Sequence, residues 1–176
     1  MPLSRYLRGN LKSKLDKNEL TLGSWLTINH QSVVEIMATA GFEWLCIDIE
    51  HSAISISDVI NLIGHIQGNG MQALVRVSEN NPVIIKRVMD AGADGVVVPM
   101  VNSIEDAQKA VASVKYPSTG SRGVGLSRAQ NYGIGFQEYQ EWLQKDAVII
   151  AQIEHIDAVK ALTGIIDVPG IDGIIV

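Results

Sequence analysis

The residue types able to do chemistry gather in a few short runs of the 176-residue chain. Asp48-Ile49-Glu50-His51 sets two carboxylates and an imidazole side by side. In an extended segment Asp48 and Glu50 share a face, and His51 follows where the run enters a loop, so its ring could fold back onto the Asp48 carboxylate. A carboxylate accepting one ring N–H fixes the tautomer and raises the proton affinity of the other nitrogen, as a general base near neutrality requires. The spacing serves a plain surface network of a histidine and an acid equally well. Arg76 ends Ala73-Leu74-Val75-Arg76, where it could grip a carboxylate with two prongs or stabilise an oxyanion, or simply pair with Glu50 or another acid.

Glu154 follows an apolar run at Gln152-Ile153-Glu154, a costly place for a carboxylate unless it meets a cation. Oxygen ligands suit magnesium or manganese. A first-turn helix residue favoured by the helix dipole is the plainer account of the same residue. Asp90, in Met89-Asp90-Ala91-Gly92, falls at a helix end where the dipole disfavours a carboxylate, which calls for a specific partner, a role beside the base, or a turn. Trp25 could wall a pocket or fill the core. His30, His65 and His155 show no metal-ligand spacing and read as structural.

Positioning these residues falls to short β-branched runs that alternate with segments of helical periodicity. Strands are expected at 22–28, 44–49, 72–77, 95–98, 148–153 and 171–176, and helices at 83–90, 104–114, 136–143 and 156–166. Two more helices are marked by Val33, Val34, Ile36, Met37 and Ala40, and by Val59, Ile60, Leu62, Ile63 and Ile66. Strands apolar on both faces and separated by helices imply a parallel sheet covered by helices. Most strand centres lie about 22 to 28 residues apart, the rhythm of a (βα)8 TIM barrel, with a doubly wound open sheet as the alternative. In a barrel the strands' C-terminal ends converge on the active site, which brings Asp48, Arg76 and Glu154 together. A full barrel takes eight units and ~250 residues, so an α/β barrel truncated after six of eight strands is expected, a single domain over 1–176 with its C-terminal part missing. One interval is long: residues 116–135 are rich in Gly, Ser and Arg, which reads as a functional loop. Within it Gly120-Ser121-Arg122-Gly123-Val124-Gly125 could cradle an anion through its amides, although it matches no nucleotide fingerprint.

A net charge of -5 without a basic cluster argues against nucleic acid, and no apolar stretch approaches the ~20 residues that span a bilayer. The single Cys46 lies in an apolar run and reads as a buried hydrophobe in a reducing compartment. With no apolar signal core in Met1-Pro2-Leu3-Ser4-Arg5-Tyr6, a cytoplasmic protein working on small molecules is expected.

Taken together, the runs 43–51, Val75-Arg76-Val77, 90–101, Tyr116-Pro117, 120–125 and Gln152-Ile153-Glu154 resemble the HpcH/HpaI aldolase family, in order, from about Leu22 to the last residue. The resemblance implies a class II aldolase, a carbon–carbon lyase that cleaves 4-hydroxy-2-oxo or 2-oxo-3-deoxy acids to pyruvate and an aldehyde through a pyruvate enolate held on a divalent metal (Mg, Mn or Co). By motif matching, His51 would be the general base, with Asp48 and Asp90 supporting it. Arg76 would hold pyruvate, Gln152 and Trp25 would line the site, and Glu154 would be one metal ligand. The family's second metal carboxylate lies in a Gly-Pro-Ala-Asp-Leu-Ser type segment after the sixth strand, beyond Val176. His155 stands where threonine is common. The resemblance also implies a homo-oligomer, usually a hexamer. Two other readings are a non-catalytic barrel remnant that binds a small anion or acts in assembly, and a lyase acting on acyl-CoA esters.

Overall fold

A computed structural model describes residues 11–176, so the reading of the extreme N-terminus lies outside the described residues. After a short α1 (Leu11–Asp16) come β1 (Gly23–Leu26), α2 (Gln31–Thr39), β2 (Trp44–Asp48), α3 (Ile56–Gly68), β3 (Gln72–Arg76), α4 (Pro82–Ala91), β4 (Gly95–Val98) and α5 (Ile104–Val114). A 3-10 turn (Arg128–Gly133), α6 (Phe136–Lys145), β5 (Val148–Gln152), α7 (Ile156–Lys160), α8 (Leu162–Ile166) and β6 (Gly173–Ile175) complete it. The six strands pair in sequence order, all parallel, as a curled half-barrel sheet. Every anticipated strand forms, the first and last of them clearly shorter than their apolar runs. Helix 156–166 breaks in two at Ala161, and α1 carried no periodicity strong enough to announce it.

Strand alternation sorts side chains into two cores. Leu45, Ile47, Ala73, Val75, Val96, Val98, Ile149 and Ala151 face the helices and pack on residues such as Val59, Ile63, Ile85, Val88 and Ala110. Their neighbours in sequence face the other way, where Cys46, Leu74, Val97 and Val148 meet Leu11 of α1. The α1 backbone is tied at that end, since Leu11 N–H donates to Gln72 Oε1 at 2.5 Å and Lys12 pairs with Asp172 at 2.5 Å. Continuing the inward rows by one pleat toward the strands' C-terminal ends turns apolar into polar: Cys46 gives way to Asp48, Leu74 to Arg76, and Ile150 to Gln152. The half-barrel thus has an apolar floor and a charged rim.

The helices between strands are closed by local chemistry. Ser55 and Asp58 form a reciprocal capping box on α3. Asn81 caps α4, with Pro82 in its first turn, and Gly92 ends it at φ 97°, a left-handed conformation that a Cβ would strain. His30 and His155, read as structural, cap α2 and α7 through Nδ1, each accepting a backbone N–H at 3.2 Å.

Residues 116–135 run from the end of α5 toward the start of β5, so they lie at the rim where strands begin, opposite the charged one. The anion cradle expected there does not form. The Gly120, Ser121 and Arg122 amides donate to the carbonyls of Tyr116, Ala112 and Lys115 at 2.8, 2.7 and 3.0 Å. Arg122 is buried, stacked 4.3 Å over the Tyr116 ring, and its Nη2 donates to Tyr139 Oη at 2.7 Å, so the segment packs as structure.

Candidate active site

Strands β2 and β3 are in register at Asp48 and Arg76, which places a carboxylate and a guanidinium side by side. Arg76 Nε donates to Asp48 Oδ1 at 3.0 Å and Nη2 to Oδ2 at 2.6 Å, a two-pronged, charge-assisted clasp. Asp48 Oδ1 also accepts the backbone N–H groups of Glu50 at 3.0 Å and His51 at 3.1 Å. Burial works against the charged carboxylate, but these hydrogen bonds, Arg76's first, outweigh it and hold the Asp48 carboxyl below its ordinary range. The same partnership raises Arg76 above the usual guanidinium value.

This arrangement corrects the expected pairing of His51 with Asp48. The Asp48 oxygens are consumed by Arg76 and two backbone amides, and the ring of His51 points away, its side chain 69% exposed with Nε2 3.8 Å from Glu50 Oε2. Backbone geometry defeats the spacing argument, because the chain bends immediately after Asp48 and folds amides, rather than the imidazole, onto the carboxylate.

The side-on edge of Arg76 faces Asp48, leaving its end-on edge toward a cavity of about 480 Å³ lined by Trp25, Thr27, Asp48, Arg76, Gln152, Glu154, Ile175 and Val176. Arg76 Cζ lies 4.5 Å from the centre of the Trp25 ring, a contact that restrains the guanidinium and leaves the indole exposed at the wall. Across the cavity Gln152 Oε1 approaches Arg76 Nη1 at 3.4 Å, and Gln152 Nε2 donates to Glu154 Oε2 at 2.7 Å. The other Glu154 oxygen accepts the Met100 backbone N–H at 2.8 Å. Met100 is held at φ 53°, an uncommon conformation for a side-chain-bearing residue.

Glu154 is exposed, so the expectation of a carboxylate buried at a cost is corrected: it extends past the end of β5 into the rim. No group of three or more metal-binding side chains occurs among the described residues. The charge balance nevertheless fits a cation. Asp48 and Glu50 both pair with one guanidinium, Glu154 lines the same cavity, and Glu50 Oε2 is buried without a hydrogen-bond partner. Burial pushes the Glu50 carboxyl up; Arg76 opposes this, and the charge of Glu154 adds to it. Glu154 retains lone pairs for one hard divalent ion.

Asp90 does not join this group. It ends α4, which returns toward the opposite rim, and there Arg122 Nη1 donates to Asp90 Oδ1 at 2.8 Å. Burial raises its carboxyl above the ordinary range, only partly countered by Arg122 and Lys86. Within one chain it cannot support His51, and the partner its helix-end position calls for is Arg122. Residues missed by sequence reasoning are Thr27 and Met100. Glu50, which period-two alternation set on the face of Asp48, pairs with Arg76 at 3.3 Å, whereas the twisted backbone at Met100 leaves no mark in composition.

The model of the HpcH/HpaI aldolase/citrate lyase family matches residues 21–176. A 2-dehydro-3,6-dideoxy-6-sulfogluconate aldolase of Pseudomonas putida is 38% identical over 91% of this chain and 63% of its own length. A 2-keto-3-deoxy-L-rhamnonate aldolase of Escherichia coli K12 is 34% identical over 99% of this chain and 66% of its own. The chain therefore spans somewhat under two thirds of the curated relatives it matches. A crystal structure of a family protein from Burkholderia cenocepacia J2315 superposes with a TM-score of 0.87 at 31% identity, covering 94% of this chain and 68% of that one. The chain belongs to the HpcH/HpaI aldolase/citrate lyase family.

Proposed function

We propose that the protein is a class II aldolase that cleaves 4-hydroxy-2-oxo or 2-oxo-3-deoxy acids to pyruvate and an aldehyde. The observation carrying this reading is the Arg76 guanidinium, locked on one edge by Asp48 and open on the other to a cavity that Gln152 and Glu154 close. An arginine fixed in this way binds a carboxylate end-on and meets negative charge growing on the adjacent 2-oxo oxygen. The names of the relatives support the substrate class, since both are aldolases of sugar-derived acids. Glu154 would hold magnesium, manganese or cobalt, with a second carboxylate from a segment following Val176; such an ion, when bound, acts as a Lewis acid toward the 2-oxo group.

The chain's own residues divide the remaining work. Arg76 orients the carboxylate, and Trp25 shields it from water. His51, at the mouth, takes the proton from the 4-hydroxyl as the C3–C4 bond breaks. The electron pair moves into the 2-oxo group, and return of a proton to C3 yields pyruvate. Assembly as a homo-oligomer, a hexamer by family resemblance, and a cytoplasmic location complete the reading. No helix among the described residues is long and apolar enough to cross a membrane.

The test is pyruvate release from such acids by the purified protein, with and without EDTA. Turnover lost on chelation and restored by manganese is expected. Turnover unaffected by chelator would remove the metal, and no turnover of any acid of this class would remove the aldolase.

A further inference from the structure

The cavity of about 480 Å³ is lined by the polar side chains of Thr27, Asp48, Arg76, Gln152 and Glu154, and all but Thr27 are committed. Asp48 serves Arg76 and two backbone amides, Gln152 bridges Arg76 and Glu154, and Glu154 also accepts from Met100. The Thr27 hydroxyl makes no hydrogen bond among the described residues. The sheet sets its place. Leu26 pairs with Ile47, so the next residue, Thr27, comes level with Asp48, which is itself level with Arg76. Arg76 leans across Asp48 until its Cζ lies 4.5 Å from the Trp25 ring centre, and Thr27 stands one pleat beyond Trp25 on the same face. A hydroxyl is thus offered on the mouth side of whatever the guanidinium holds.

Resting on the aldolase reading, we propose that Thr27 determines specificity by hydrogen-bonding the C5 hydroxyl of the substrate, so that the site takes polyhydroxylated 2-oxo-3-deoxy acids in preference to 4-hydroxy-2-oxo diacids. The 4-hydroxyl is engaged in proton transfer as the C3–C4 bond breaks, which makes the C5 hydroxyl, released as the 2-hydroxyl of the aldehyde, the first one left to recognise. A threonine hydroxyl both donates and accepts, as a neutral substrate hydroxyl requires. Charge points the same way. Arg76 is the only cationic side chain lining the cavity among the described residues, and it holds the carboxylate next to the 2-oxo group. A second carboxylate at the far end of a diacid would find no cation there, only the like charges of Asp48 and Glu154 in the wall and of Glu50 on the same guanidinium.

The experiment runs the reaction toward carbon–carbon bond formation, with pyruvate, manganese and one of three aldehydes: 2-hydroxypropanal, propanal, which lacks the hydroxyl, or 4-oxobutanoate, which carries a carboxylate. In the parent, kcat/KM for 2-hydroxypropanal should exceed that for propanal about 5- to 10-fold, with 4-oxobutanoate the poorest acceptor. Thr27→Val keeps the shape without the hydroxyl and should bring the ratio of the first two aldehydes to within about twofold of unity, whereas Thr27→Ser keeps the hydroxyl and should preserve the ratio. Each ratio is taken on one preparation, so a partly folded variant does not distort it; should Thr27→Val fail to fold, Thr27→Ala removes the same hydroxyl. A parent that does not distinguish 2-hydroxypropanal from propanal, a Val variant that still does, a Ser variant that no longer does, or a preference for 4-oxobutanoate would overturn the proposal. Condensation with none of the three strikes the aldolase reading and this proposal with it, while condensation without discrimination strikes the proposal alone.

Discussion

Asp48 and Arg76 occupy matching positions on adjacent parallel strands and meet through two hydrogen bonds of 3.0 and 2.6 Å. The pair ends two inward rows whose earlier members are apolar, so an ion pair sits directly above an apolar core. Its geometry, rather than its charge alone, makes the site.

Arg76→Lys keeps the charge and loses the fork. Turnover of a 2-oxo acid should fall about 10- to 100-fold in kcat/KM, mostly through KM, because an ammonium cannot serve Asp48 and a substrate carboxylate on two edges at once. Steady-state kinetics with pyruvate detection checks this. A variant within twofold of the parent would show that substrate is not held by the guanidinium.

Acid should weaken the fold in a way that depends on both inward carboxylates. The Asp48 carboxyl is depressed when folded, so its contribution is present above the ordinary value of ~3.9 and is lost as pH falls through the folded value. The Glu50 carboxyl is raised, so it acts in the opposite sense: ionised, it costs stability, and that cost is relieved as pH falls through its folded value, above ~4.3. Glu50→Gln removes the second effect. Its urea midpoint should lie above the parent's near neutrality and fall more steeply toward pH ~3, measured by fluorescence across the pH series.

Glu154→Gln concerns chemistry and not the fold. The residue is exposed, so unfolding free energy should change by less than ~0.5 kcal/mol. Divalent-ion affinity should drop at least ~100-fold, since one anionic ligand is replaced by a neutral one. Calorimetric titration with manganese measures it; an unchanged affinity would assign the metal elsewhere.

Trp25→Leu tests the wall of the cavity. Losing the contact 4.5 Å from Arg76 frees the guanidinium, and a loss of about 0.5 to 2 kcal/mol in transition-state binding is expected, read as a several-fold rise in KM with folding intact. Equal KM values would mean that the indole only fills space.

Arg122→Ala should act on stability from the opposite rim. It strands Asp90 half-buried and empties the stack on Tyr116 and Tyr139, for a cost of about 3 to 5 kcal/mol by urea unfolding. A loss under 1 kcal/mol would show that the network is solvated and slack.

The alternation of β-branched runs with helical periodicity sufficed for six strands and the parallel sheet, because each strand's burial pattern is local and parallel neighbours need helix crossovers, whereas the strand order, open between a barrel and a doubly wound sheet, was decided by the pairing. The convergence of strand ends in a barrel also sufficed to nominate Asp48, Arg76 and Glu154, whereas Gln152 entered only through the family resemblance. Tertiary structure alone decided who holds whom. Asp48 went to Arg76 rather than His51 because the register of β2 with β3 outranks proximity in the chain, and Asp90 went to Arg122 because α4 runs antiparallel to the strands it joins. The glycine-rich segment closed on its own carbonyls, and Met100 turned its amide to Glu154, because hydrogen-bond partners are chosen in three dimensions among groups that sequence spacing cannot rank.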